Sequence, residues 1–209
     1  EAMDISHGLP FTHAMDIYAG EYEDIADASV VIITAGANQK PGETRLDLVQ
    51  KNAAIMRSII KEIKRVNCEG ILPIVSNPVD ILTEVALRES GFPKERVIGS
   101  GTVLDTARLK YIISEKLDVD SRNVHAFIVG EHGDSELAAW SCANIYGIKL
   151  QDFAKMRGYE HFAQDMEEVY KGVRDSAYEI IERKGATYYG IGMAAEKIVE
   201  AIVRNSHTV

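Results

Sequence analysis

A chain of 209 residues that is 46% hydrophobic can bury an apolar core, which makes it a globular protein of one large domain or two small ones. Its formal net charge of −9 argues against nucleic acid or an anionic membrane as partner, because either would have to bind against the overall field. Cys68 and Cys142 both fall among apolar residues and are too few for a disulfide framework or a metal cluster. They suit reduced, buried thiols, and with neither a charged-then-apolar leader nor an apolar run near the ~18 residues of a membrane span, a cytoplasmic protein is expected.

No internal repeat or low-complexity linker interrupts the chain, and its punctuation is that of alternating strands and helices. Residues 15–19 and 30–34 read as short strands, the second an apolar run of the kind buried on both faces of a parallel sheet. A loop over 36–42 follows. Across 44–66, Leu46, Val49, Ala53, Met56, Ile60 and Ile63 recur at three- and four-residue steps, which predicts a long amphipathic helix. Residues 70–75 read as the next strand. Pro78 suits the first position of a helix running to 89, closed by Gly91 and Pro93. A strand begins at Val97, and a helix over 103–117 and a strand over 124–129 follow, with a further candidate strand at 138–143. Two helices, 161–183 and 188–204, finish the chain. Strands separated by helices imply βαβ units and a doubly wound α/β sheet.

Gly190-Ile191-Gly192-Met193-Ala194-Ala195 fits the spacing of a dinucleotide fingerprint, but it follows a helix where the fingerprint requires a strand. Its small residues are read as permitting close helix packing. Lys61-Glu62-Ile63-Lys64-Arg65 is read as a solvated helix face.

The chemistry-bearing segment is Gly130-Glu131-His132-Gly133-Asp134-Ser135, which places a histidine between two glycines at the exit of the run Phe127-Ile128-Val129. In Leu104-Asp105-Thr106-Ala107-Arg108, Asp105 and Arg108 stand three apart on one helical face. Taken singly, these are an ordinary loop histidine and an ordinary surface ion pair of roughly 0.2–0.5 kcal/mol. Together with Ile33-Thr34-Ala35-Gly36-Ala37 and Val75-Ser76-Asn77-Pro78-Val79-Asp80, in this order and spacing, they resemble the lactate and malate dehydrogenase family. The resemblance covers essentially all 209 residues but only the middle of a family member. The Gly-rich loop and the acidic residue ending the second strand, which members carry upstream of Met3-Asp4-Ile5-Ser6-His7-Gly8, are not in this sequence, nor are the strands that members carry beyond Val209.

The resemblance implies an incomplete Rossmann-type doubly wound parallel sheet over 1–99, then an incomplete α+β catalytic domain over 100–209. His132 matches the general acid and base, Asp105 the carboxylate that fixes its tautomer, and Arg108 the fork that grips a substrate carboxylate. Arg45 matches the arginine that a closing loop brings over the substrate carbonyl. Asn77 matches a residue contacting the nicotinamide ribose and the substrate, and Thr187 one packing beside the substrate. Thr34, Ala35, Gly36 and Ala37, with Ser76 and Asn77, lie where family members hold NAD, and no metal is implied. Gln39 separates sister activities: malate-reducing members place an arginine there for a second carboxylate, whereas lactate-type members place a neutral glutamine facing a methyl group. The resemblance therefore implies interconversion of pyruvate and L-lactate. Malate or another 2-hydroxyacid, or a catalytically silent fragment that keeps subunit contacts, stand as alternatives. Lys110 and His125 resemble the basic pair that binds fructose 1,6-bisphosphate in many bacterial members, although an arginine usually stands where this chain has the lysine. The family's usual assembly is a homotetramer.

Overall fold

A computed structural model describes residues 1–38, 42 and 44–208, without the side chain of Arg45. After a short helix α1 (Ala2–Ser6), the first half is organised by a long helix, α2 (Arg45–Arg65). A capping box starts α2: Thr44 Oγ1 accepts from the Asp47 N–H at 3.1 Å, and Asp47 Oδ2 accepts from the Thr44 N–H at 3.0 Å. Ala53, Met56, Ile60 and Ile63 form the expected buried stripe. Leu46 does not join it and is 65% exposed, because burial along α2 begins only at Asn52, two turns further on.

Residues 30–33, β1 (Leu72–Ile74) and β2 (Val97–Gly99) lie side by side and parallel, with α2 connecting the first to the second and α3 (Val79–Ser90) the second to the third. Alternate bonds, such as Ile33 N–H to Pro73 O at 2.9 Å and Ile71 N–H to Ser29 O at 2.9 Å, form the outer ladder. α3 ends on Gly91 at φ +68°, a left-handed cap that glycine adopts without strain. Ile33, Met56, Ile60, Leu72, Ile74 and Leu82 make one continuous core.

Two expectations need correction here. Residues 15–19 form no strand, having no ladder partner among the described residues. Among the described residues, 30–34 pair only through bridges at Val30 and Ile33, and they are not buried on both faces: Ile33 is buried while Ile32 is 42% exposed.

In the second half, α4 (Val103–Leu117) occupies the predicted range. The predicted strand 124–129 is two strands, β3 (Val124–His125) and β4 (Ile128–Val129), because the chain changes sheets between them. β4 pairs antiparallel with β5 (Leu137–Ala138), while β3 pairs with β6 (Asn144–Ile145), which pairs with β7 (Ile148–Lys149). The candidate strand 138–143 fails for a related reason. After the Ala139 N–H reaches Phe127 O at 2.9 Å, the chain closes a 3-10 turn over Trp140–Cys142 before β6. That turn leaves Cys142 exposed, contrary to expectation, whereas Cys68 is buried.

α5 (Leu150–Met156), α6 (Phe162–Lys184) and α7 (Tyr189–Val203) complete the fold. Leu109, Ile113, Leu117, Val124, Ile145, Leu150, Val169 and Val173 are the second core. A Cβ on Gly190 would come within 3.1 Å of Leu104 Cδ1, so close packing of α7 on α4 explains that glycine, but Gly192 faces open space. α7 also packs against β1. Among the described residues no helix is long and apolar enough to cross a membrane.

Candidate active site

The hairpin between β4 and β5 carries the histidine. Its loop reverses on Gly130 (φ +102°) and Gly133 (φ +120°), conformations costly for any residue with a Cβ. His132 sits between them with its side chain 29% exposed and its Nδ1 2.6 Å from Asp105 Oδ2. An ionised carboxylate only accepts, so Nδ1 carries the hydrogen and Nε2 is the nitrogen free to exchange a proton with a ligand. The second oxygen of Asp105 accepts from Arg108 Nη1 at 2.8 Å, and the Asp105 side chain is almost fully buried. The three-residue spacing thus builds a relay from guanidinium to imidazole through a buried carboxylate, not a surface ion pair.

Electrostatics follow from that arrangement. The hydrogen bond from His132 to Asp105 is the largest influence on the imidazole, and with the carboxylate charge it outweighs burial, holding the pKa above the ordinary 6.5. Burial pushes Asp105 up, but the hydrogen bond and charge of His132, aided by Arg108, prevail and keep it below the ordinary 3.8.

A bond from the His132 backbone N–H to Asp80 Oδ2 at 2.9 Å, in the first turn of α3, ties the loop to the first half of the molecule. Arg108 and Thr187 line a common cavity of about 390 Å³ with Leu104, Ile180 and Ile191. This brings together the guanidinium and the threonine matched to substrate contacts.

The residues matched to NAD binding gather at the carboxyl ends of the parallel segments, where ligands bind in doubly wound sheets. Thr34, Ala35 and Gly36 are exposed there, as is Asn77. A Cβ on Gly36 would meet the Asn52 amide only at 3.7 Å, an ordinary contact, so the chain's own packing does not require glycine and the surface is open to close approach. Ser76 is different. Its buried hydroxyl lies 2.6 Å from Ala35 O and 3.2 Å from Ile33 O, so it ties the two strand exits together.

Asn52, which the sequence reading passed over, does the same from beneath. Its Oδ1 accepts from the Ala37 N–H at 2.8 Å, and its Nδ2 donates to Ala37 O at 3.2 Å and Asn77 O at 2.8 Å. One signal could have found it: a lone amide within the apolar stripe of α2.

Gln39 lies outside the described residues, and of Arg45 only its place at the start of α2 is described. Lys110, half-buried on α4, holds its ammonium over the Phe127 ring at 5.9 Å, while His125 is exposed on β3, which packs against α4.

Residues 1–99 match the family model described as lactate/malate dehydrogenase, NAD binding domain, and residues 102–209 match that of the lactate/malate dehydrogenase alpha/beta C-terminal domain. The chain is 54% identical over its whole length to an L-lactate dehydrogenase of Acetivibrio thermocellus, of which it covers 66%, and 55% identical to one of Streptococcus thermophilus, of which it covers 63%. It thus spans a little under two thirds of these relatives. Among solved structures, a lactate dehydrogenase from a Medee basin deep-sea metagenome library superposes with a TM-score of 0.95 at 53% identity, covering 99% of this chain and 66% of that one. A minor L-lactate dehydrogenase from Enterococcus mundtii in its ligands-bound form superposes with a TM-score of 0.91 at 48% identity, covering 96% and 64%.

Proposed function

Since this chain belongs to the lactate/malate dehydrogenase family, we propose that its protein is an NAD-dependent L-lactate dehydrogenase, with pyruvate and L-lactate as substrate and product. The observation that carries this is the Arg108–Asp105–His132 relay, which sets a proton-bearing imidazole and a half-buried guanidinium on one buried carboxylate. The names of the relatives support the substrate.

NADH, when bound, would supply hydride chemistry at the keto carbon. His132 gives its Nε2 proton to the developing alkoxide and takes it back in the reverse direction, with Asp105 stabilising the imidazolium. Arg108 grips the substrate carboxylate, and the Thr187 side of the same cavity packs against the substrate. Arg45 polarises the carbonyl. Thr34, Ala35, Gly36 and Ala37 at one strand exit would hold the pyrophosphate and riboses of the cofactor, and Asn77 at the next its nicotinamide ribose, with Ser76 and Asn52 bracing both exits. The division into two units between residues 99 and 100, cytoplasmic residence, a homotetramer, and a sugar-bisphosphate site at Lys110 and His125 belong to the same proposal.

Gln39 is the residue assigned to substrate choice. Replacing it by arginine is expected to raise kcat/KM for oxaloacetate relative to pyruvate by at least tenfold, since the change offers a charge to the second carboxylate and leaves it unpaired against a methyl group. NADH oxidation followed at 340 nm with each keto acid measures the ratio. An unchanged ratio would remove Gln39 from that role.

A further inference from the structure

Glu136 plays no part in the relay described above, yet the structure delivers it there. The turn between β4 and β5 brings its carboxyl back toward the imidazole, with Oε2 3.9 Å from His132 Nδ1 and its side chain only 3% exposed. Single oxygens of Glu136 and Asp105 and a ring nitrogen of His132 all lie within 4.8 Å of one another. The position is built: the Glu136 N–H donates to Gly133 O at 3.1 Å, the Gly133 N–H to Glu136 Oε2 at 3.4 Å, and the Tyr170 hydroxyl to Glu136 O.

We propose that Glu136 is a positioning residue that gives the imidazolium of His132 a second negative counter-charge, setting the pH at which this histidine changes from proton donor to proton acceptor. The proposal rests on His132 being the proton-transfer residue. Two carboxylates in one buried place resist joint ionisation, and burial first, then Asp105, pushes the Glu136 carboxyl above its usual 4.5. A cation between them relieves that cost. Protonation of His132 and ionisation of Glu136 therefore favour each other, and the pair titrates as one unit. The charged and titratable groups on the elements packed against it are Asp105 and Arg108 on α4, Asp80 on α3, Tyr170 with Arg174 and Glu167 beside it and Tyr178 on α6, and Glu131 and Asp134 in the loop itself. Of these, only Asp105 and Glu136 bring a carboxylate to Nδ1. In the proposed reaction, a higher His132 pKa extends the range over which the protonated, keto-acid-binding form persists.

The test is NMR titration of the His132 ring in the 209-residue chain. It reads Glu136 whether or not the chain turns over a keto acid, so failure here and failure of the proposed function are distinguishable. Glu136→Gln keeps the shape and removes the charge, and it is expected to lower the His132 midpoint by about 1 pH unit, the low end of what an opposite charge at this distance does. Glu136→Asp is expected to restore part of that shift. An unchanged midpoint in Glu136→Gln, or equal falls in both variants, would overturn the proposal. If the glutamine variant does not fold, the Glu136 carboxyl carbon in the unaltered chain decides. It must be ionised while His132 is still protonated, and a carboxyl that keeps its proton until His132 has lost its own would rule the counter-charge out.

Discussion

Asp105 is where the residue-scale argument concentrates, because it answers to both the imidazole and the guanidinium from a nearly dry position. The sign of its effect on stability can be worked out. Asp105 is held below 3.8, so its contribution is present above that pH and is lost as pH falls through the folded value. His132 is held above 6.5, so its contribution is full below that pH and is lost as pH rises through the folded value. The pair therefore stabilises the fold most between about pH 4 and 6.5. Asp105→Asn is expected to lose most stability inside that window and least at either side of it, which the thermal midpoint as a function of pH would check. A uniform loss at all pH values would show that Asp105 acts by packing alone. Sequence motifs singled out this residue and His132, which the fold brings to 2.6 Å, because residue type at fixed spacing is visible in the sequence. Glu136 gave no comparable signal: a glutamate four residues past a histidine is unremarkable until the glycine turn folds it back.

Elements that matched expectation are those whose pattern is local. α4 begins and ends where its apolar periodicity and following Asp118, in the left-handed conformation, place it. The run 124–129 misled because it is apolar throughout, and nothing local reveals that the chain leaves one ladder at Ala126 and joins another at Ile128. Residues 30–34 misled about burial for a related reason, since the number of covered faces is a property of neighbours. Asn52 shows how elements are joined into a site: one buried amide from α2 bonds backbone groups in two different strand exits. Asn52→Ala leaves those groups unsatisfied and is expected to destabilise the fold by about 2 kcal/mol. Urea unfolding would measure it, and a change below about 0.5 kcal/mol, the size of a surface substitution, would mean water replaces the amide without cost.

Across the whole molecule, the two cores each contribute residues to the candidate site. The first presents the exits at Ala35 and Asn77, and the second presents His132, Asp105 and Arg108. Asp80 reaches between them to the backbone of His132 itself. The layering of βαβ units was legible from the order of apolar runs, and the family from four short motifs. The clip at Asp80 was not, because a carboxylate in the first turn of a helix reads as an ordinary helix-dipole partner.

The central claim is that His132 transfers the proton when pyruvate is reduced. Its most direct test is the NADH- and pyruvate-dependent rate of the purified protein beside that of His132→Asn, with NADH binding measured for both. The expected result is turnover in the unaltered protein, a fall of at least 100-fold in kcat for the variant, and unchanged NADH affinity. Equal rates in the two proteins, or no turnover in the unaltered protein with NADH and pyruvate both bound, would contradict it.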